Sequence, residues 1–586
     1  MSERRRATRS GASMLHVVTG LLLAAAPLSA QDSTVVVDSN VAIPMRDGVV
    51  LRADVYHAAD ATRHPVLVYR TPYGKHVAGA AQVTARKAVQ RGYVVVMQDV
   101  RGRYASAGDF LPYQQEGADG YDTIEWAAQQ TWSNGSVGTF GLSYPGAVQW
   151  LAAVESPPHL KAMVPAMTFA SPMQFWYSNG VWDLSWLSWI WQNIAPDRWH
   201  RLGMPAGAPW DSVKRDMRTA IPLSAAPGLD RIAPWYYEWL HHPAYDPWWS
   251  WADLTHRYAR TSAAVLNLSA WYDDAYGPHG AINNFTGLVT ARGKDQATAL
   301  IMGPWAHGVP RMGRTMVGER EYGAAGGIDY DETVLRWMDR YVRGIDNGVD
   351  REKPVRVFVL GTNRWIVADT WPVPGIRAET LWMHGRELTR AAASAADTVR
   401  ISSDPARPVE NQYEGRPGAH DYRAIVPQAS VAVFETAPFD EDVSIVGAMD
   451  AHVSIAVDAP DVDIWVKVFD VAPDGTAYNL MSPGLDVLRA SYRDKGKRET
   501  LRSRRIYDLS LPDLFTANTF LRGHRLRVAI MPSWFPEFSR NPQTGDLEAS
   551  SIRSRPANVT IHMGAGFPSF LVLPVLPRSA MLFAEP

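Results

Sequence analysis

Gly141-Leu142-Ser143-Tyr144-Pro145-Gly146 lies between an apolar run, Val137 to Phe140, and a helix-like run that begins at Ala147. A strand that passes through so tight a turn straight into a helix implies an α/β layer. The glycines relieve crowding between strand and helix, so that the Ser143 hydroxyl projects from the carboxyl edge of the sheet, the arrangement of a nucleophile elbow. The strict pattern has glycine at position 145. Here Pro145 stands there and the glycine follows at Gly146. Proline fits the first helical turn, where its missing N–H costs nothing.

A nucleophile on such an elbow needs an acid and then a histidine later in the chain, each at the end of a strand. Ala263 to Ala270 is a short apolar run ending in Trp271-Tyr272-Asp273-Asp274, and Ala299 to Met302 is another, ending in Gly303-Pro304-Trp305-Ala306-His307-Gly308. His307 can take the Ser143 proton if a buried carboxylate fixes its tautomer and stabilises the imidazolium. Asp273 is the carboxylate chosen here and Asp274 the alternative. Taken singly, an Asp after a strand is a turn or cap residue and a lone His a structural group; the order of the three is what argues for a triad.

The chain resembles the CocE/NonD hydrolases of the X-Pro dipeptidyl-peptidase class. The resemblance rests on Ile43-Pro44-Met45-Arg46-Asp47-Gly48, Arg70-Thr71-Pro72-Tyr73, Asp99-Val100-Arg101-Gly102-Arg103, the serine turn, Trp271-Tyr272-Asp273 and Gly303-Pro304-Trp305-Ala306-His307, with Phe535-Pro536 and Arg540-Asn541-Pro542 near the end. It implies an α/β-hydrolase domain with an inserted helical cap and a C-terminal β jelly roll. It also implies a Ser143–His307–Asp273 triad, and an oxyanion hole made by the Tyr73 hydroxyl and the Tyr144 N–H. Each such donor contributes roughly 10²–10³ in rate. Asp99, Arg101 and Arg103 either shape the site or form an ion-paired loop.

Composition is compatible with this. The 586 residues are 46% hydrophobic and 20% charged, ordinary globular usage. A net charge of −2 gives no sign of a nucleic-acid partner. The absence of cysteine excludes disulfides, thiolate metal sites and a cysteine nucleophile. At the N-terminus Arg4, Arg5, Arg6 and Arg9 precede the apolar stretch Met14 to Ala26 and small residues up to Ala30. Residues 1–30 therefore read as a cleaved export signal, too short for a membrane span, and the mature enzyme as secreted or periplasmic without a stable membrane anchor.

Strand runs alternate with helical stretches from 35 to 168 and again from 255 to 350, which argues for the α/β sheet. One expected helix is Asp331 to Arg343, with Leu335, Met338 and Val342 on one face and Gly344 at its end. Residues 169–254 hold twelve of the 23 tryptophans and would form the cap over the site. Trp182, Trp186 and Trp189 recur at helical spacing and read as packing; Phe175, Trp176 and Trp182 are the candidates for an acyl pocket. His241 and His242 are adjacent and would point different ways, which argues against a shared metal.

After a charged linker, Asp346 to Lys353, residues 354–586 alternate as strands: Leu526, Val528 and Ile530 against Arg525 and Arg527, and Ile464, Val466 and Val468 against Trp465 and Lys467. This is a β-sandwich pattern, with Pro473-Asp474-Gly475 as a turn. Asp461 and Asp463 read as a solvated strand start rather than calcium ligands. The expectation is a serine hydrolase that cleaves small esters or activated amides through an acyl-enzyme, with no metal or other cofactor. An X-Pro dipeptidyl-peptidase or α-amino acid ester hydrolase is the alternative, although no acidic group for a substrate amine can be assigned, and Lys75 beside Tyr73 gives no support for one. A catalytically silent binding protein is the reading from another class. A homo-oligomer is compatible with the sequence.

Overall fold

The computed structural model describes residues 35–584 apart from 294–296, 393, 426–427 and 482–485. The export segment expected at 1–30 lies outside the described residues. Among those described, no helix is long and apolar enough to cross a membrane.

Valine-rich runs build the centre of a ten-stranded sheet. Its middle strands are parallel, and they include His64–Thr71, Val94–Asp99, Ser133–Leu142, Leu160–Ala166, Ala264–Tyr272 and Thr298–Ala306. Both faces of such strands are covered, so neighbouring residues fall into different cores. Val66, Val68, Val94 and Val96 pack in one; Leu67, Tyr69, Val95 and Met97 pack in the other. The helix expected at 331–343 spans Tyr330–Tyr341, with Leu335 and Met338 buried and Gly344 beyond it at φ 76°.

The sheet does not stop at the charged segment 346–353. Strands Val355–Val359 and Arg364–Ala368 extend it, Leu300 pairing with Val355, and the sandwich strands begin only at Arg377. A boundary at 354 thus falls inside this sheet. A polar loop between a helix and the strand Val355–Val359 has the composition of a linker, which is why sequence alone places the border there.

Within 169–254 the chain forms short helices, Ser185–Trp189, Ala195–Arg201, Trp210–Thr219 and Pro234–His241, joined by turns. Trp186 and Trp189 share the first of these. Trp182 instead belongs to a two-residue strand paired with Tyr177–Ser178, so the three do not form one helical face. Trp176, Trp186, Trp235, Trp239 and Trp249 pack into the core that also holds Tyr144 and Trp150 of the helix after Ser143. The cap is therefore bound to the sheet by aromatic burial, at roughly 25 cal/mol per Å² of apolar surface removed from water.

In the sandwich the expected alternation separates two cores instead of core and solvent. Ile464, Val466 and Val468 face the interior between its layers; Trp465, Phe469 and Val471 face a second apolar cluster that includes Val181 of the cap. Lys467 is buried with its Nζ 2.6 Å from Asp486. Asp461 and Asp463 are not solvated, since both are 1% exposed. Arg489 pairs with Asp463 at 2.8 Å, and Asp461 accepts from the Ser491 hydroxyl at 2.7 Å. A buried arginine recruits buried carboxylates, and the sequence pattern gives no sign of that partner. No group of three or more His, Asp or Glu side chains suited to a metal ion occurs among the described residues.

Candidate active site

Ser143 ends the strand Ser133–Leu142 and opens the helix Tyr144–Ala153, with φ 73° and ψ −130°. A serine persists there only where its surroundings over-determine it. Close packing does so. A Cβ on Gly141 would lie 2.5 Å from the Cβ of Pro145, and a Cβ on Gly146 would lie 2.5 Å from the Ala166 carbonyl oxygen. Gly146 is thus the point at which the helix crosses the neighbouring strand, which explains why glycine is needed there rather than at 145. The Ser143 N–H donates to the Ala166 carbonyl at 3.0 Å.

Asp273 follows the strand Ala264–Tyr272 and is fully buried. Its Oδ1 lies 2.8 Å from His307 Nδ1 and also accepts the backbone N–H groups of Ala275 (3.1 Å) and Tyr276 (3.4 Å). An ionised carboxylate only accepts, so Nδ1 carries the proton and Nε2 is left as a base. Asp274 reaches only the His307 backbone N–H, at 3.4 Å. Burial pulls the His307 pKa down, but the charge and hydrogen bond of Asp273, with the charge of Asp274 behind them, outweigh it and leave the imidazole above its ordinary value.

Tyr73 lies just beyond the strand His64–Thr71, and its phenol oxygen accepts the Trp189 indole N–H at 3.0 Å. The Tyr144 N–H stands in the first turn of its helix, where no intrahelical acceptor exists. Its side chain turns away, donating to Glu116 Oε1 at 2.7 Å and accepting the Tyr113 N–H at 3.0 Å. Tyr73, Ser143 and His307 open onto a cleft of about 400 Å³ that is also lined by Phe175, Trp186, Trp189 and Tyr276.

Family models match most of this chain. Residues 47–309 match the X-Pro dipeptidyl-peptidase (S15 family), and residues 347–572 match the X-Pro dipeptidyl-peptidase C-terminal non-catalytic domain. Cocaine esterase of Rhodococcus sp. (strain MB1 Bresler) is 32% identical over 93% of this chain and 100% of its own length. The chain belongs to the CocE/NonD family. Solved structures share the fold: an aminopeptidase from a marine sediment archaeon, Thaumarchaeota archaeon, has TM-score 0.80 at 22% identity over 97% of this chain and 99% of its own. An α-amino acid ester hydrolase has TM-score 0.79 at 24% identity over 95% and 100%.

As a CocE/NonD serine hydrolase, the protein brings Ser143, Asp273, His307, Tyr73 and Tyr144 to one sheet edge. Of the expected pocket residues, Phe175 lines the cleft, whereas Trp176 and Trp182 are fully buried behind it. Trp186, Trp189 and Tyr276 stand on the wall instead. Tyr276 packs its ring against His307, centroids 5.7 Å apart, faces Ser143, and shares a 3.0 Å hydroxyl–hydroxyl bond with Tyr113. Its place three residues after Asp273, in the same loop, was the available signal.

Lys75 does not enter the cleft; its Nζ lies 3.2 Å from Asp99 and 2.9 Å from Asn40 Oδ1. Arg101 is paired with Asp119 and Asp47. Arg103 differs, being fully buried and joined to the loop of Tyr73 and to the cap. Acidic groups are present after all. Asp183 lines the cleft, its Oδ1 accepting the Ser185 N–H at 2.7 Å, and burial pushes its carboxyl up to about 7. Asp274 is exposed beside Tyr276, and its carboxyl is raised as well, by desolvation and by the neighbouring charge of Asp273. Sequence could not assign Asp183, because the cap hairpin that aims it has no recognisable motif.

Proposed function

We propose that this hydrolase cleaves carboxylic esters or activated amides through an acyl-enzyme on Ser143. The Ser143 Oγ adds to the acyl carbon while His307 Nε2 takes its proton, and Asp273 holds the imidazolium. The Tyr73 hydroxyl and the Tyr144 N–H receive the negative charge on the former carbonyl oxygen, where preorganised donors are worth most. Collapse expels the alcohol or amine, which takes the proton from His307. Water then repeats the sequence and releases the acid. The 2.8 Å contact of His307 Nδ1 with buried Asp273, at the cleft that holds Ser143, carries this reading.

Asp183 favours a second reading, in which the substrate bears an amine. This is the feature common to X-Pro dipeptides and α-amino acid esters. The leader-like sequence of residues 1–30 supports export to the periplasm or medium. The experiment is hydrolysis of p-nitrophenyl acyl esters against Gly-Pro and Ala-Pro anilides by wild type and Ser143→Ala. Fast ester turnover with inert anilides is expected. Preference for the anilides would move the assignment to the peptidase, and equal rates in wild type and Ser143→Ala would overturn the serine mechanism.

A further inference from the structure

The oxyanion donors are not positioned by the sheet alone. Trp189 ends the cap helix Ser185–Trp189 and touches the first of them directly, its Nε1–H donating to the Tyr73 oxygen at 3.0 Å; its ring also stacks on the ring of Tyr144, centroids 6.3 Å apart with a 10° interplanar angle. The chain continues from Trp189 into a π-helical turn, Ile190–Ile194, a departure from α geometry that is frequent at functional sites. This turn is fastened to the Tyr73 loop by one buried side chain. Arg103 donates through Nε to the Pro72 carbonyl at 2.8 Å, and through Nη1 and Nη2 to the carbonyls of Ile194 (2.9 Å) and Asn193 (3.2 Å). An ion pair with Asp197 at 3.3 Å holds it from the cap side.

We infer that Trp189 is a positioning residue for the oxyanion hole, donating its indole N–H to Tyr73 so that the phenol proton is directed at the acyl oxygen. This rests on the reading of Tyr73 as an oxyanion donor. A phenol oxygen has one proton and two lone pairs. With one lone pair committed to the indole, the proton and the remaining lone pair are left for the side facing Ser143. An oxygen that accepts one hydrogen bond also donates a stronger one. Burial raises the Tyr73 pKa, while the hydrogen bonds of Trp189 and Ser143 and the charge of Arg103 pull it back, in the direction of a better donor. The Arg103 clamp holds the indole in register with the phenol.

The test replaces Trp189 with Phe, and separately with its sulfur isostere β-(3-benzothienyl)alanine, which keeps the bicyclic shape and removes only the N–H. Each is combined with Tyr73→Phe, and kcat and KM are measured on a p-nitrophenyl ester, with near-ultraviolet circular dichroism as a control for folding. Loss of one neutral hydrogen bond corresponds to about a 10-fold fall in kcat. We expect that fall with KM within about twofold, and no further fall when either Trp189 replacement is added to Tyr73→Phe. A penalty that persists in the Tyr73→Phe background, or that appears only in KM, would make Trp189 a pocket wall and overturn the inference. A full effect of Tyr73→Phe with no effect of the isostere overturns it as well and leaves the oxyanion reading intact. If Tyr73→Phe itself is silent, the reading beneath it fails too.

Discussion

His307 is held by two carboxylates in unequal ways. Asp273 accepts its ring N–H and fixes the tautomer, whereas Asp274 reaches only its backbone and acts on the ring through charge. The two substitutions should therefore separate. Asp273→Asn is expected to lower kcat by about 10⁴ while the protein stays folded, because the amide presents a donor where the imidazole needs an acceptor; near-normal turnover would return the acid role to Asp274. Asp274→Asn is expected to change the pH profile more than the maximum rate. The folded His307 pKa lies above the ordinary value of about 6.5, so the inactive imidazolium persists to higher pH and kcat/KM rises only as pH climbs through that raised value. Removing the Asp274 charge shifts this acid limb to lower pH. An acid limb at the wild-type position would show that Asp274 does not act on the ring.

The strand–elbow–helix unit stores its strain in the glycines around it. At Gly146 an added Cβ meets a backbone oxygen that no side-chain rotation can move. Gly146→Ala is expected to destabilise the hydrolase domain by about 1–3 kcal/mol and to lower kcat, read as a lower denaturant midpoint together with slower ester turnover. An unchanged midpoint would mean that the helix shifts away freely. This element was legible in sequence because its steric demand falls on neighbouring residues, and the order Ser143, Asp273, His307 was legible because each follows a strand. The cleft wall was not. Trp186 and Trp189 reach the cleft from a short helix and Trp182 sits behind it in a two-residue strand, a difference that their common helical spacing conceals, and Asp183 is aimed by a hairpin whose partner lies more than 350 residues away, at Ser539. The strands at 355 and 364 were hidden for a related reason, since strand period reveals pairing but not with which sheet.

The cap and the sandwich are joined by main chain. Leu184 N–H donates to the Glu537 carbonyl at 2.7 Å, Ser539 N–H to the Trp182 carbonyl at 2.9 Å, and Val181 packs with Tyr422, Trp534 and Phe538. The sandwich thus supports the hairpin that carries Asp183 into the cleft, which gives a domain without catalytic groups a role in shaping the site. Glu537 lies on this seam. Asn411 donates to its Oε1, Oε2 is buried without a partner among the described residues, and burial pushes its carboxyl up to about 7. A carboxyl raised from about 4.3 in the unfolded chain binds more protons when folded. Its contribution to stability is therefore greatest at low pH and is lost as pH rises from about 4.3 through about 7. Glu537→Gln is expected to raise the apparent melting temperature at pH 8 and to flatten its fall between pH 5 and pH 8; Asp183, raised in the same way, would preserve part of the slope. Parallel wild-type and Glu537→Gln curves would show that the seam carries its charge at no cost, which a buried carboxylate with one unpartnered oxygen does not allow.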